Sequence, residues 1–192
     1  MFKRKILSKL EAWKRDERHK PLILRGARQV GKTTVVNEFG SQFDNYLYFN
    51  LEMNESVRLF EMDIPLNDLV NMLFASSGKS QREGSTLIFI DEIQNSPKTI
   101  ALLRYFYEQR PDLYVIAAGS LLENLVDVNV SFPVGRVMYM ALRPCSFYEF
   151  LGAIGKTNLL AVLSQKPEYT VVFHEQLMHH FNQYTIIGGM PE

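Results

Sequence analysis

The chain is short of the features that would take it out of the ordinary globular class. A single cysteine, Cys145, excludes an internal disulfide framework and any thiolate metal cluster built within these 192 residues. No apolar run approaches the ~18 residues of a membrane helix. The basic start MFKRKILSKLEAWK lacks the apolar centre of a signal peptide, so a reducing cytoplasm is the default compartment. Repeats and low-complexity tracts are absent. Net charge is also absent, with 21 basic against 21 acidic residues. That zero hides an imbalance: residues 1–32 hold 11 Lys or Arg against 3 Asp or Glu, and the remainder is acidic to the same extent. An anion-binding N-terminal region follows from such polarity, for a phosphate ligand or for nucleic acid, unless the charges merely line a solvated helix.

What is present is enough for one α/β domain with a small appendage. Apolar residues make up 46% of the chain and aromatics 12%, which excludes disorder as the main reading. Phe2, Ile6, Leu7, Leu10 and Trp13 recur at helical spacing, so a helix docks one stripe and leaves its Lys/Arg face wet, with Trp13 as anchor. Continuous apolar runs at 22–24, 46–51, 86–90, 113–118 and 137–142 read as strands covered on both faces. Helical patterns fall between them, from Lys32 to a stop at Gly40, at 54–61 and 66–76, and from Pro97 to Arg110. Beyond Pro144 the pattern is helical, at about 146–152 and 168–185. The alternation predicts a five-stranded parallel sheet sandwiched between helices, with ligands at the carboxyl ends of the strands.

Directly after the first strand stands Gly26-Ala27-Arg28-Gln29-Val30-Gly31-Lys32-Thr33, followed by Thr34. This is the GxxxxGKT phosphate loop. Its glycines let backbone N–H groups turn inward on an anion, and the next helix aims its free N–H groups at the same charge. Lys32 is placed for the β- and γ-phosphates and the Thr33 hydroxyl for Mg²⁺. The third strand ends in Asp91-Glu92. Beside a phosphate loop, Asp91 is suited to the magnesium shell and Glu92 to activating the attacking water. Strand tips also carry acids as simple surface caps, but the loop favours the catalytic reading. No NKxD-type guanine-reading string occurs, so ATP is preferred to GTP, and the adjacent Glu argues against a nucleotide kinase. Ser120, after Gly119, is either a γ-phosphate sensor between the two motifs or part of a plain turn.

GARQVGKTT, LIFIDEIQ, AAGSLL, VGRVMYMALRPCSFYEFL and GGMPE, in that order, resemble the AAA-type P-loop ATPases of bacteria and archaea in the branch allied with the STAND NTPases. The resemblance spans the whole chain. It implies a sheet with the Gly119-Ser120 strand between the phosphate-loop strand and the Asp91-Glu92 strand, and Ser120 as the sensor. It makes Arg136 a candidate arginine at the nucleotide or a neighbouring subunit, against a plain surface ion pair, with Arg143 a weaker second. It divides the chain into a nucleotide-binding core, 1–142, and the start of a helical lid, 143–192. Such proteins continue into a winged-helix-like segment and a restriction-endonuclease-like domain, so the chain reads as a truncated piece.

Other features carry less. His174 and His179 are five residues apart, about 140° round a helix, and cannot share a zinc ion. Met138, Met140, Met178 and Met190 read as filler, and Cys145 as a packed thiol. The leading function is Mg²⁺-dependent ATP hydrolysis driving movement of attached domains or partners. A slow ATP-gated switch and a nucleic-acid-associated ATPase are the alternatives.

Overall fold

The computed structural model describes residues 4–81, 84–120, 133, 135–163, 165 and 171–190. Phe2, Leu121, Val134, residues 168–170 of the expected last helix, and the Pro191-Glu192 end lie outside the described residues.

Five parallel strands form the centre: β1 (Leu22–Arg25), β2 (Asn45–Asn50), β3 (Thr86–Asp91), β4 (Leu113–Gly119) and β5 (Met138–Ala141), in the order β2-β3-β4-β1-β5. The strand ending at Gly119 thus lies between the phosphate-loop strand and the strand ending at Asp91. Register places Ile90 beside Ala117, and Ala117 beside Ile23. The strands lack polar alternation because each face is covered. Ile88, Ile90, Val115, Ala117 and Ile23 pack under α3 (Asn54–Phe60), α4 (Leu66–Ser76) and α5 (Pro97–Gln109). Leu87, Phe89, Ile116, Ala118 and Leu22 pack under α1 (Ile6–Lys14) and α2 (Lys32–Gly40). Period-two side-chain direction divides one apolar run between two cores.

Ile6, Leu7, Leu10 and Trp13 of α1 are buried as their spacing requires. Trp13 acts as an anchor, its indole N–H donating to the Lys20 carbonyl at 2.8 Å and its ring set edge-on to Tyr114. The expected wet basic face is present, with Lys5, Lys9 and Arg15 exposed along and beside α1, but other N-terminal cations have protein partners. Arg4 is buried, and Lys14 and Lys20 donate to the carbonyls of Gln42 and Gly135. Part of the N-terminal positive charge thus fastens to backbone carbonyls, Arg4 within the fold and Lys14 and Lys20 at its surface.

Gly40 also has a different reason from the one its position suggests. It is the last residue of α2, without a positive φ. A Cβ there would stand 2.6 Å from the Tyr46 ring, so close approach of β2 demands the glycine.

After β5 come α6 (Phe147–Ala153), α7 (Thr157–Leu163) and α8 (His174–Ile187). They share a small separate cluster of Leu151, Leu159 and Leu177. The sequence pattern gave no sign of α7 and started the last helix too early. Helix α6 opens with a capping box, Ser146 and Glu149 satisfying each other's backbone N–H groups. The Cys145 N–H donates to the Gly189 carbonyl at 2.6 Å, and the Tyr184 hydroxyl to the Cys145 carbonyl at 2.7 Å. A Cβ on Gly189 would lie 2.5 Å from that same carbonyl oxygen. The Pro144-Cys145 and Gly188-Gly189 motifs, far apart in sequence, therefore fit against each other.

Gly40→Ala is expected to cost about 1–3 kcal/mol, the usual penalty of overpacking a tight core. Urea unfolding checks it, and an unchanged midpoint would show that Tyr46 moves aside freely.

Candidate active site

The carboxyl edge of the sheet carries the site. The phosphate loop leaves β1 at Arg25 and runs into α2. Gln29 and Gly31 both take positive φ, 63° and 86°, the latter as the N-terminal cap of α2. Gly26 is fixed by space rather than by dihedral angle, since a Cβ would fall 2.3 Å from the Leu142 carbonyl oxygen. The Leu142 N–H in turn donates to the Arg25 carbonyl at 2.7 Å, so the exit of β5 buttresses the loop. Val30 turns its side chain into the core beneath α1 and α2.

An open pocket of about 540 Å³ lies over the loop, lined by Arg28, Gln29, Gly31, Lys32, Thr33, Thr34, Glu52 and Glu92. Lys32 Nζ donates to the carbonyls of Gly26 and Ala27 at 2.9 and 2.8 Å. Burial lowers the Lys32 pKa, against the nearby carboxylates of Glu92 and Asp91 that raise it.

The decisive distance joins the two motifs. The Thr33 hydroxyl donates to Asp91 Oδ2 at 2.6 Å, and the Glu92 N–H donates to Asp91 Oδ1 at 3.0 Å. Burial pushes the Asp91 pKa up, opposed by these two donors. A hydroxyl and a carboxylate oxygen side by side form the hard-oxygen donor set that Mg²⁺ takes. Glu92, immediately beyond, has φ 54° and ψ 45°, a left-handed conformation rare outside glycine. Such backbone strain gathers at working sites.

Of the other expected residues, Ser120 follows β4 between the two motifs, and its buried Oγ has no hydrogen-bond partner among the described residues. Arg136 is not brought to the pocket of its own chain. Parallel pairing sets Leu22 beside Met138, so Arg136 stands at the amino ends of the strands, roughly 16 Å of strand below Ala141. There its Nε donates to Glu108 at 3.2 Å in an exposed ion pair. Arg143 lies at the correct end of β5.

Sequence reasoning missed Glu52, which follows β2 and lines the pocket, and Gln94, whose amide donates to the Glu92 carboxylate. The rule that ligands gather at strand ends would have found Glu52, because Asn50 pairs with Asp91 across the sheet.

A model of the AAA domain matches residues 18–151. The chain belongs to the AAA domain family. Among solved structures it is similar to the Walker-type ATPase PABY2304 of Pyrococcus abyssi, with a TM-score of 0.57 and 18% identity. The alignment covers 100% of this chain and 65% of that one. No curated protein matches the sequence. The AAA domain described here thus has a P-loop ATPase fold, a five-stranded parallel sheet flanked by helices, and it is similar in fold to that neighbour. Among the described residues no helix is long and apolar enough to cross a membrane.

Relief of the strained backbone gives a direct check. Glu92→Gly is expected to stabilise the folded domain by about 1 kcal/mol in urea unfolding. Destabilisation instead would mean that the Glu92 side chain holds the turn more strongly than its backbone resists it.

Proposed function

We propose that this AAA domain binds ATP with Mg²⁺ and hydrolyses it, coupling the cycle to movement of the helices after β5 and of whatever they carry. The 2.6 Å contact between Thr33 and Asp91 carries the reading, because it brings phosphate loop and acidic strand tip to one ion's reach. The backbone N–H groups of the loop and of the α2 N-terminus take the phosphates. Lys32, held above the loop, exchanges its two carbonyl partners for β- and γ-phosphate oxygens. Thr33 and Asp91 would hold the magnesium ion, which when bound supplies charge neutralisation to the phosphates.

Glu92 accepts a proton from water as the water oxygen attacks the γ-phosphorus. The bond from that phosphorus to the β,γ-bridging oxygen breaks, and ADP leaves with the electron pair. Gln94 restrains the Glu92 carboxylate through its amide hydrogen bond. The Ser120 hydroxyl, unpartnered among the described residues, is suited to donate to the γ-phosphate. Arg136, paired with Glu108 at the far end of the sheet, takes no part within its own chain. Burial of Arg4 and Lys32 against backbone carbonyls favours the ATP-driven reading over one centred on nucleic acid.

Glu92→Gln is expected to bind ATP like the parent while turnover falls by about 10²–10⁴-fold, the usual contribution of a general base. Lys32→Ala should lose ATP affinity. Phosphate release and calorimetry measure the two, and parental turnover in both variants would reject these roles.

A further inference from the structure

Arg4, just ahead of α1, is 4% exposed, where an unpaired guanidinium would be costly. Its Nη1 donates to the Val30 carbonyl at 2.9 Å, its Nη2 to the Arg143 carbonyl at 2.7 Å, and its Nε to Glu149 Oε1 at 3.2 Å. These partners sit in the phosphate loop, at the exit of β5 and in the first turn of α6. Glu149 Oε1 also accepts from the Lys5 N–H, at 2.8 Å, and its Oε2 accepts from the Ser146 N–H, at 2.9 Å. Burial would raise the Glu149 pKa, but these N–H donors and the Arg4 charge outweigh it and keep it below the usual range. The carboxylate is therefore ionised at neutral pH, and the pair is charged on both sides.

Val30 is the partner with consequences for the site. A trans peptide is planar, so the Val30 carbonyl and the Gly31 N–H point in opposite directions. A guanidinium that draws the carbonyl away from the pocket turns the Gly31 N–H toward the side on which Gly31 lines it. A charge-assisted bond to the carbonyl also polarises the amide and strengthens its N–H as a donor. Neither Arg4 nor Glu149 lines the nucleotide pocket, so whatever they do there passes through the loop. Arg4 also precedes the matched AAA segment, which begins at residue 18.

We propose that Arg4 is a positioning residue: it holds the Val30–Gly31 peptide in the phosphate-binding orientation and, through Glu149, makes that orientation depend on the docking of α6. The inference rests on reading the loop as the ATP site. Coupling of this kind is reciprocal. Docked α6 raises nucleotide affinity, and bound nucleotide favours docked α6. The hub thus supplies a material link between hydrolysis and the helices that follow the sheet.

The test measures Mg-ATP affinity by calorimetry for the parent, Arg4→Gln, Arg4→Lys, Glu149→Ala and the Arg4→Gln/Glu149→Ala pair, with thermal unfolding of each. Arg4→Gln should weaken binding about tenfold, within the span of ordinary allosteric coupling. Arg4→Lys should recover part of the loss, since an ammonium keeps the charge but cannot span three acceptors. Glu149→Ala should weaken binding on its own and add nothing in the Arg4→Gln background. Mg-ATP should slow amide exchange over residues 147–153 in the parent and not in Arg4→Gln, a readout that loss of packing alone does not produce. Parental affinity in Arg4→Gln and Glu149→Ala, or losses that simply add, would overturn the proposal. Should Arg4→Gln fail to fold, Arg4→Lys and Glu149→Ala decide by the same affinities and exchange rates. Absence of binding in the folded parent, with Lys32→Ala as reference, would instead reject the ATP site itself.

Discussion

The bond between Thr33 and Asp91 is the constraint on which the arrangement depends. The two residues belong to β1 and β3 neighbourhoods that are not adjacent, because β4 runs between them. At about 4.8 Å per strand the loop must therefore reach across roughly 10 Å of sheet. It does so over the end of β4, where Ala118 packs on the α2 side of the sheet, Gly119 ends the strand, and Ser120 follows with its buried Oγ unpartnered among the described residues. A larger side chain at Ala118, which packs on the α2 side of the sheet, would press on that helix.

The same edge concentrates cost. Asp91 is buried with its pKa raised, Lys32 is buried with its pKa lowered, and Glu92 has a left-handed backbone. Each departure opposes folding, and the two cores above and below the sheet outweigh them. Polar strain at the strand ends and close packing beneath them are the division of labour expected of an active site on a rigid support.

Much of this was legible in the sequence because the signals are local. The apolar runs marked all five strands within a residue or two, the phosphate loop carried its own spacing, and Asp91-Glu92 stood where a strand must end. What escaped was set by contacts distant in sequence. Arg4 looked like one more solvated charge, and only folding brings Glu149 to it across 145 positions. Gly40 looked like a helix stop, whereas its requirement comes from Tyr46. Arg136 fell near a motif in sequence, but parallel pairing of β5 carries it to the opposite end of the sheet. Helix α7, TNLLAVL, is apolar at five of its seven positions, so no polar face marked a helical period.

The central claim is that one divalent ion is shared between Thr33 and Asp91 when nucleotide is bound. Titration with Mn²⁺ in place of Mg²⁺, followed by electron paramagnetic resonance in the presence of ATP, tests it directly. The account predicts one tightly held Mn²⁺ per chain, weakened by Thr33→Val and by Asp91→Asn, with the double variant little worse than the more damaging single. Equal Mn²⁺ binding in all of these proteins would contradict it.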